Sequence, residues 1–391
     1  MGMVGGGDGA FIGAIHRMAA ALDGEIELVC GAFSSNAQRS VNSGLALNIA
    51  KSRCYETYQQ MFANEQTLAD EVRMDFVVIV TPNHLHFPIA KFALESGFHV
   101  LSDKPATIDL AQALMLQKII EESGRLYGLT HTYNGYPLIK QAKYFVDQGQ
   151  LGVIRKVVVE YSQSWLSNKD DESGKQAKWR LDPQQSGKSC CMGDIGVHAA
   201  NLAEYVTGLS ISQVCADLNT SVDERQLDDD GTILLRFNSG ARGVLLASQI
   251  SVGEENNLRL RVYGDTASLD WSQQEPNSLW LKYNDKPSQL IRTGVGELCT
   301  EARNAIRTPA GHPEGYIEAF ANLYKNFSGL VRAYEHDESV NYRHFDIAGI
   351  DEAIRGMAFI ENVVSASQSE TKWHDLKISE SESELKIGVG N

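Results

Sequence analysis

The clearest candidates for chemistry are Asp194 and His198, which lie four positions apart in the segment GDIGVH at residues 193–198. On a helix, two residues at this spacing share a face and lie one turn from each other. A carboxylate beside an imidazole fixes its tautomer and raises its basicity, as a general base near neutral pH requires. The alternative interpretation is structural, with an aspartate that caps the helix and a histidine that is satisfied in the core.

Two turns place further polar side chains at the carboxyl ends of predicted strands, where open α/β sheets bind ligands. TPNHLH (81–86) follows one such strand and SDKP (102–105) follows the next. The side chains predicted to contact a cofactor there are Thr81, Pro82, Asn83, His86, Asp103 and Lys104. Pro105 biases Lys104 towards an extended conformation, from which its ammonium group projects over the cofactor; the alternative is an exposed loop lysine.

A glycine-rich loop, VGGGDGAFIG at residues 4–13, opens the chain. Its spacing, Gly5-x-Gly7-x-x-Ala10, matches the strand–turn–helix fingerprint of dinucleotide-binding folds with alanine in the third position. That chemistry needs a backbone bare enough to approach a pyrophosphate and a helix N-terminus whose free N–H groups face the anion. The loop opens a β-α alternation, which favours dinucleotide binding over an ordinary glycine-rich turn. The predicted contacts are Gly5, Gly7, Ala10, Phe11 and Ile12.

The end of the second predicted strand bears on which dinucleotide this loop binds. An acidic residue there binds a free ribose 2′-hydroxyl, whereas this strand ends in Ser34 and Ser35, and Arg39 follows on the next helix. Small hydroxyl groups and a guanidinium can bind a 2′-phosphate, whereas a carboxylate repels it. The cofactor is therefore predicted to be NAD or NADP, with a slight preference for NADP. The alternative is a helix-capping serine and a solvated arginine.

The elements that must position these residues are short apolar runs alternating with helical segments through the first 130 residues. This pattern is typical of a parallel sheet with crossover helices and predicts an α/β fold with a Rossmann domain at 1–130. The predicted strands are 25–33, 76–81, 98–101 and 126–130, and the predicted helices are 10–22, 85–95 and 110–123.

From residue 152 the chain becomes rich in β-strand patterns separated by turn signals, which predicts an antiparallel second domain at 131–376. The clearest turn, Asn238-Ser239-Gly240, joins two strands as a hairpin. Residues 377–391 are polar and charged and are expected to form a loose C-terminal tail. The predicted strands are 153–162, 213–219, 231–237, 243–248, 258–263 and 279–283, and the predicted late helices are 313–333 and 347–367.

Composition excludes several classes of protein. The 391 residues carry 35 Lys and Arg against 50 Asp and Glu, a net charge of −15, which disfavours nucleic-acid binding. No charged-then-apolar leader and no apolar run near the roughly 20 residues of a membrane span are present. The six cysteines show neither a Cys-x-x-Cys spacing nor a matching histidine pair, so no metal site is predicted. Sparse cysteines also favour a reducing compartment, and the cytoplasm is predicted.

Together, these motifs resemble the glucose–fructose oxidoreductase / inositol dehydrogenase / rhizopine-catabolism (Gfo/Idh/MocA) family. The glycine loop, TPNHLH, DKP (103–105), Trp179-Arg180 and GDIGVH occur in family order, and the resemblance extends from Val4 to Trp373. It implies an N-terminal Rossmann domain and a C-terminal α/β domain. A large, mostly antiparallel sheet in the second domain carries the sugar site and commonly the oligomer interface. The implied activity is NAD(P)-dependent oxidation of a hydroxyl of a sugar, a sugar derivative or a cyclitol.

The resemblance also implies roles for the three candidate catalytic residues. His198 would remove the hydroxyl proton, Lys104 would stabilise the developing alkoxide, and Asp194 would orient the substrate and tune His198. Three departures from the family stand out. Asp103 replaces the usual glutamate, the acidic ribose-binding residue is missing, and HTYN (131–134) differs from the more usual Asn-Arg-rich turn.

Further residues are predicted to line the substrate site. Tyr133 follows the last strand of the first domain. Trp179 and Arg180 offer an aromatic face and a charge that suit a sugar, although they are equally well explained as surface-loop residues. His312, in GHPEGY (311–316), is a candidate because a similar late segment reaches the site in the family.

Two other functions are weighed against a plain dehydrogenase. An NAD-assisted glycoside-cleaving hydrolase of the same superfamily generally has a constellation other than Lys-Asp-His. A non-catalytic nucleotide-sensing protein is expected to have lost Lys104 or His198.

A homodimer or homotetramer is predicted, since a broad antiparallel sheet with one free face must bury its apolar side chains. The even-numbered residues of 157–162 or 258–263 are candidates for that contact.

Overall fold

The computed structural model describes residues 1–169, 174–336 and 345–378, and its N-terminal part is a five-stranded parallel sheet. The strand order is β2-β1-β3-β4-β5. The strands are β1 (Gly2–Gly5), β2 (Cys30–Ala32), β3 (Phe76–Val80), β4 (His99–Ser102) and β5 (Tyr127–Leu129). The helices are α1 (Phe11–Ala21), α2 (Ala37–Ala46), α3 (Tyr58–Glu65), α4 (His86–Glu95) and α5 (Leu110–Ser123).

This sheet confirms the parallel arrangement predicted from the alternating pattern. All five residues of β3 are buried, as expected for a strand covered on both faces. The predicted strand at 25–33 is much shorter in the structure, because only Cys30–Ala32 pair with β1. Helix α5 has the predicted bounds; the Asp109 side chain accepts the Gln112 N–H at its start, and Gly124 ends it in the left-handed conformation.

The second part of the chain forms a nine-stranded sheet in the order β13-β12-β11-β10-β6-β9-β8-β7-β14. Neighbouring strands are antiparallel except β6 and β9, which are parallel. The strands are β6 (Ile154–Ser162), β7 (Ile211–Asn219), β8 (Asp230–Phe237), β9 (Arg242–Ser248), β10 (Asn257–Gly264), β11 (Ser268–Ser272), β12 (Ser278–Lys282), β13 (Gln289–Arg292) and β14 (His374–Asp375). The hairpin at Gly240, where φ is +91°, is confirmed between β8 and β9.

The sequence patterns missed β11, β13 and β14. The central residue of β11, Asp270, is a buried carboxylate paired with Arg259 and Lys282 on its two neighbouring strands. Leu269 and Trp271 alternate with polar residues, but the strand is only five residues long and was overlooked. The two edge strands are short and mostly exposed, so they carry little alternation of any kind.

The helices of this part of the chain are α6 (Pro137–Asp147), α7 (Lys175–Arg180), α8 (Pro183–Ser186), α9 (Val197–Thr207), α10 (Thr300–Asn304), α11 (Tyr316–Glu335) and α12 (Ile350–Ser367). Of these, α6, α9 and α12 pack against strands of the large sheet and cover one of its faces. In β6, Val157 and Val159 face this covered side, whereas Val158 and Glu160 lie on the opposite face. Residues 158, 160 and 162 therefore lie on the open face, and their part in a contact between copies stays a prediction.

The prediction that the even-numbered residues of 258–263 contribute to a contact between copies is wrong. Leu258, Leu260 and Val262 are buried in the core, and Arg259 and Arg261 lie on the open face. The antiparallel register pairs Leu260 with Val159 and so places both on the covered side.

Helix α11 joins the two parts of the molecule. Although it lies late in the chain, it packs along α1, and its Phe320, Tyr324 and Phe327 belong to the same buried cluster as Met3 and Phe76 of the parallel sheet. Helix α12 packs against α5 on one side and β7 on the other. The carboxyl ends of the parallel strands therefore face the covered side of the large sheet.

No helix within the three described stretches combines the length and the hydropathy that a membrane span requires. The tail predicted for 377–391 lies outside the described residues from 379 onwards.

Candidate active site

The centre of the candidate site is an ion pair between Lys104, just after β4, and Asp194, in the π-helical turn Met192–Gly196. Lys104 Nζ donates to both Asp194 Oδ1 and the Asp194 carbonyl oxygen at 2.8 Å. Arg180 Nη1 lies 2.7 Å from the same Oδ1, and Gln249 Nε2 donates to Oδ2 at 2.9 Å. One buried carboxylate thus holds two cations and an amide.

The protonation state of Asp194 follows from these partners. Burial acts to raise the pKa of this carboxyl, but the charges of Arg180 and Lys104 outweigh it and lower the pKa below its usual value. Asp194 is therefore ionised at neutral pH.

The turn that carries Asp194 is held by a second buried carboxylate, Asp228. Its Oδ1 accepts the Cys190 N–H, its Oδ2 accepts the Met192 N–H, both at 3.0 Å, and Ser189 Oγ donates to it at 2.8 Å. Asp228 therefore satisfies backbone donors at the start of the helical segment that continues into α9.

His198 lies in the first turn of α9 and is 8% exposed. Its ring packs edge-on against Tyr133 at 5.0 Å and against His131 at 5.5 Å between centroids. Burial, and then the positive charge of Lys104, lower the pKa of His198 well below its ordinary value, so the ring is neutral and has a lone pair to accept a proton. Within the described residues, no hydrogen bond joins the ring to Asp194, so the direct carboxylate–imidazole pairing expected from the spacing is not formed.

Tyr133 connects His198 to a polar patch on the large sheet. Its hydroxyl forms a short hydrogen bond with the Tyr161 hydroxyl and accepts from Asn256 Nδ2 at 3.2 Å. Tyr161 in turn donates to Asn256 Oδ1 at 2.8 Å, and Gln163 Nε2 donates to the same oxygen at 2.6 Å. Sequence reasoning missed Tyr161, Gln163, Asn256 and Gln249, since isolated polar residues in or after strands carry no motif.

Of the other predicted substrate residues, Arg180 reaches this centre, Trp179 is linked to it through Arg180, and His312 is not joined to it by any described contact. The Arg180 guanidinium stacks over the Trp179 ring at 4.5 Å while it pairs with Asp194. His312 is exposed, and its Nδ1 lies 3.2 Å from the Pro309 carbonyl in its own turn. Tyr316, at the start of α11, instead brings its ring to 6.3 Å from Tyr133.

The glycine loop has the geometry of an anion-binding turn. A Cβ on Gly5 (φ +83°) would lie 2.5 Å from the Val80 carbonyl oxygen, and one on Gly7 would lie 2.6 Å from that of Phe33. In the described structure no side chain caps α1 at Ala10, and no acidic residue occupies its first turn. Because these glycines have no side chains, the loop leaves room for a ligand next to the free N–H groups at the start of α1. This arrangement fits the pyrophosphate of a dinucleotide. Phe11 is exposed beside it and Ile12 is half-buried.

The end of β2 offers hydroxyl groups and a guanidinium, as predicted. Ser35 and Arg39 are exposed, and Ser34 Oγ accepts the Asn36 N–H at 3.2 Å. The N-cap of α2 is Asn36, whose side chain accepts the Arg39 N–H, so neither serine caps this helix.

The turn after β3 presents one free hydroxyl. Thr81 Oγ1 is buried and has no hydrogen-bond partner among the described residues. Pro82 leads into a 3₁₀ turn, in which Asn83 Nδ2 donates to the Ser186 carbonyl at 3.0 Å. Both ring nitrogens of His86 contact the protein backbone: Nδ1 lies 2.6 Å from the Pro105 carbonyl oxygen and Nε2 lies 2.8 Å from the Thr81 carbonyl oxygen. The ring therefore links the turn after β3 to the turn after β4.

Asp103 also makes contacts within the protein. Its Oδ1 accepts the Lys104 N–H at 2.8 Å and the Thr130 hydroxyl at 3.1 Å, and its Oδ2 lies 3.9 Å from His16 Nε2. Burial opposes ionisation, but His16 and Lys104 hold the pKa of Asp103 well below its usual range. Among the described residues, no group of three or more His, Cys, Asp or Glu side chains is arranged to bind a metal ion.

Comparison with known proteins identifies the family. Residues 1–131 match the oxidoreductase family with an NAD-binding Rossmann fold (GFO_IDH_MocA), and residues 139–270 match the GFO/IDH/MocA C-terminal domain. The uncharacterized oxidoreductase YfiI of Bacillus subtilis (strain 168) is 31% identical over 379 residues, with 96% of each chain covered. A D-xylose 1-dehydrogenase [NADP(+)] of Haloarcula marismortui is 27% identical over 197 residues, which are 48% of this chain and 53% of that protein.

Solved structures agree with this assignment. An inositol dehydrogenase homolog from Azotobacter vinelandii complexed with NAD+ has a TM-score of 0.92 at 33% identity, with 96% of both chains covered. A complex of such a homolog with NADH and myo-inositol has a TM-score of 0.89 at 32% identity, with the same coverage.

A parallel sheet with a dinucleotide-type loop, joined to a large mostly antiparallel sheet, is the architecture of a family of oxidoreductases with an NAD-binding Rossmann fold. The chain belongs to the Gfo/Idh/MocA family. The family resemblance and the fold class that the sequence implied are confirmed.

Proposed function

We propose that this protein is an NAD(P)-dependent dehydrogenase that oxidises a hydroxyl of a sugar, a sugar derivative or a cyclitol. The observation that carries the proposal is the convergence of a neutral, buried His198 with the Lys104–Asp194 ion pair at the carboxyl edge of the parallel sheet. A proton acceptor and a positive charge at one point are what the oxidation of an alcohol requires.

Each of the three residues has a separate task in this proposal. His198 takes the hydroxyl proton on its ring nitrogen. Lys104 has three N–H groups, of which two point to Asp194, and the third stabilises the alkoxide that develops on the substrate oxygen. Asp194 holds the ammonium group of Lys104 and the guanidinium of Arg180 in place. The nicotinamide ring, when bound, supplies the acceptor for the hydride.

The proposed dinucleotide contacts follow the fold. Residues 1–130 act as the dinucleotide-binding domain, in which Gly5, Gly7 and the N-terminus of α1 receive the pyrophosphate. Thr81, with its free buried hydroxyl, lies at the edge where Pro82, Asn83 and the Asp103 turn border the nicotinamide. The exposed Ser35 and Arg39 favour NADP slightly, and the similar proteins include one named as an NADP(+) enzyme and one solved with NAD+.

The proposed substrate surface lies in residues 131–376. Tyr133 packs against His198, and Arg180, which stacks on Trp179, pairs with Asp194. These hydroxyl, aromatic and cationic groups suit the polar and apolar faces of a sugar ring. His312 stays a weaker candidate, since its described contacts are confined to its own turn. The complex of an inositol dehydrogenase homolog with myo-inositol supports a polyhydroxylated substrate.

A glycoside-cleaving reaction and nucleotide sensing are the alternatives. The complete Lys104, Asp194 and His198 set favours plain oxidation over both. Assays with purified protein, NAD+ or NADP+, and a panel of aldoses, myo-inositol and scyllo-inositol test the proposal through the absorbance of reduced nicotinamide. Accumulation of reduced nicotinamide in proportion to substrate consumed supports it. Bond cleavage without net reduction, or nucleotide binding without turnover of any panel compound, contradicts it.

We also propose that the protein is a cytoplasmic homodimer or homotetramer. All six cysteines are free thiols, as in a reducing compartment. The open face of the large sheet carries Leu234, which is 41% exposed, near the partly buried Val158 and Val244. An apolar strip on a broad sheet is stabilised when a second copy covers it.

A further inference from the structure

Gln249, the residue that follows β9, is a buried amide beside the candidate site, and neither the sequence motifs nor the proposed function gives it a role. It is 0% exposed. Its Nε2 donates to Asp194 Oδ2 at 2.9 Å. Lys104 and Arg180 both contact the other oxygen, Oδ1. Among the described residues, one of the two oxygens of this buried carboxylate therefore depends on Gln249 alone.

The neighbours of Gln249 leave its amide group one orientation. The ionised Asp194 carboxylate only accepts hydrogen bonds, so the NH₂ group has to face it. On the other side, the Cys190 thiol donates to Gln249 Oε1 at 3.4 Å. Burial raises the pKa of the Cys190 thiol, which therefore keeps the proton that it donates. Both neighbours require the same orientation of the amide.

The backbone of Gln249 is also held in place. Its N–H donates to the Asp229 carbonyl oxygen at 2.9 Å, and its carbonyl oxygen accepts the Leu166 N–H at 3.1 Å. Asp229 follows Asp228, whose carboxylate holds the turn that carries Asp194. The donor and the carboxylate that accepts from it are therefore both attached to the same dipeptide.

We propose that Gln249 is a positioning residue that sets the rotation of the Asp194 carboxylate and thereby directs the ammonium group of Lys104. The proposal rests on the proposed function, in which Lys104 stabilises the alkoxide on the substrate. While the amide holds Oδ2, Oδ1 stays with the cations, and two of the three N–H groups of Lys104 point to Asp194. The third N–H group then has a fixed direction.

Loss of the amide changes this arrangement because a buried charged oxygen without a hydrogen bond is costly. The Asp194 carboxylate then rotates until Oδ2 meets one of the two cations. The ammonium group of Lys104 turns with it, and its third N–H group no longer points to the substrate oxygen.

The first test does not depend on the reaction. Gln249→Leu removes the donor and keeps a buried side chain of similar size. Crystal structures of this variant and of the unmodified protein are compared at the ion pair. In the variant, the Asp194 carboxylate is expected to be rotated, so that Lys104 Nζ and Arg180 Nη1 no longer share Oδ1. Unchanged contacts at the ion pair overturn the proposal whatever the protein catalyses.

The second test uses Gln249→Glu, which replaces the amide by a group that donates only when it is protonated. The protonated carboxyl donates to Asp194 as the amide does, whereas the ionised carboxyl repels it. Complete burial and direct contact with Asp194 are expected to raise the pKa of the introduced carboxyl above its usual value of about 4.3. The charged groups around these contacts are Asp103, Asp194, Asp228, Lys104, Arg180 and Arg225.

Turnover of myo-inositol, or of the panel compound with the highest turnover, is compared with that of the unmodified protein at the same pH. Gln249→Leu is expected to lower kcat about ten- to a hundredfold at every pH, because Lys104 is misaligned. In Gln249→Glu the loss is small at low pH and grows as the pH rises through the pKa of the introduced carboxyl. The dissociation constant of the dinucleotide stays unchanged in both variants, since its proposed contacts lie on the parallel sheet.

Gln213→Glu is the matched control. The Gln213 amide also donates to a carboxylate, Asp375 Oδ1 at 2.8 Å, but this exposed contact joins β7 to the edge strand β14. The same substitution therefore places the same charge beside a carboxylate outside the candidate site. Its kcat is expected to equal that of the unmodified protein at every pH.

Three kinetic results overturn the proposal. One is a kcat of Gln249→Leu within twofold of the unmodified protein. Another is a ratio of kcat between Gln249→Glu and the unmodified protein that does not change with pH. The third is a loss that equals the unfolded fraction measured by circular dichroism, which assigns Gln249 a structural role. Failure of the proposed function is recognised separately, because His198→Ala then keeps full turnover, and the crystallographic comparison still decides the role of Gln249.

Discussion

Lys104 Nζ lies 2.8 Å from Asp194 Oδ1, although 90 positions separate the two residues in the chain. Lys104 follows a strand of the parallel sheet, and Asp194 precedes a helix that covers the large sheet, so their ion pair joins the two sheets at the candidate site. Arg180 places a second cation on the same oxygen at 2.7 Å. The Asp194 carboxylate therefore holds the charged groups of Lys104 and Arg180 next to each other.

Removing the proton acceptor is expected to separate catalysis from binding. His198→Ala lowers kcat about 10²- to 10⁴-fold, and the dissociation constant of the dinucleotide stays nearly unchanged. Lys104→Ala causes a similar loss, because the developing alkoxide loses its nearest positive charge. Steady-state kinetics, cofactor titration and thermal melting of both variants provide the check. Full activity of His198→Ala contradicts the mechanism.

Asp194→Asn is expected to affect stability as well as turnover. The substitution leaves buried Lys104 and Arg180 without their counter-charge and lowers the free energy of unfolding by about 2 kcal/mol at neutral pH. Because the folded pKa of Asp194 is depressed, its stabilising contribution is complete above the unfolded pKa, about 3.9. The contribution is lost as the pH falls through the lower folded pKa. Denaturant unfolding of both proteins from pH 7 downwards measures it, and an equal difference at all pH values argues against this account.

The pH dependence of turnover is expected to reflect the low pKa of His198. The ring accepts a proton only when neutral, and burial followed by the charge of Lys104 lowers its pKa well below 6.5. The acidic limb of kcat/KM therefore lies well below pH 6.5. In Lys104→Gln the residual activity shows this limb at higher pH, because the neighbouring positive charge is gone. An acidic limb at or above pH 6.5 in the unmodified protein contradicts the assignment of His198 as the base.

Cofactor preference is expected to be relaxed or tilted towards NADP. Arg39→Ala lowers kcat/KM for NADP about tenfold with little change for NAD, since an exposed guanidinium near a 2′-phosphate contributes a charged contact. Ser35→Asp shifts the preference towards NAD, because a carboxylate binds the ribose hydroxyls and repels the phosphate. A preference of the unmodified protein for NAD above about a hundredfold, which is about 2.7 kcal/mol in transition-state free energy, contradicts the prediction.

The open face of the large sheet is expected to bind a second copy of the chain. Leu234→Glu places a charge on the apolar strip and shifts the assembly towards the monomer, while Val252→Glu, on an exposed loop, serves as the control. Light scattering at micromolar concentration measures the change. A mass of 43.0 kDa for the unmodified protein means that it is a monomer.

The sequence by itself determined the local conformations and the chemical inventory. Alternating apolar runs specified most strands, because side chains of a strand point to opposite faces with a period of two. The spacing of the glycine loop specified a dinucleotide-type turn, since Gly5 and Gly7 occupy positions where a Cβ would meet backbone. The motifs at Lys104, Asp194 and His198 identified the groups that meet at the candidate site, and the family that the ordered motifs suggested is the one to which the chain belongs.

Only the tertiary structure decided which partner each group takes. Spacing predicted that Asp194 faces His198, but the packing of distant segments gives its oxygens to Lys104, Arg180 and Gln249. The same packing buries His131 beside the ring of His198. A periodic pattern determines on which face of a helix or strand a residue lies. Ion pairs and cavities depend instead on the relative positions of helices and strands that are far apart in the chain. Those positions depend on how whole sheets and helices bury their apolar faces, and a local motif contains no information about this packing.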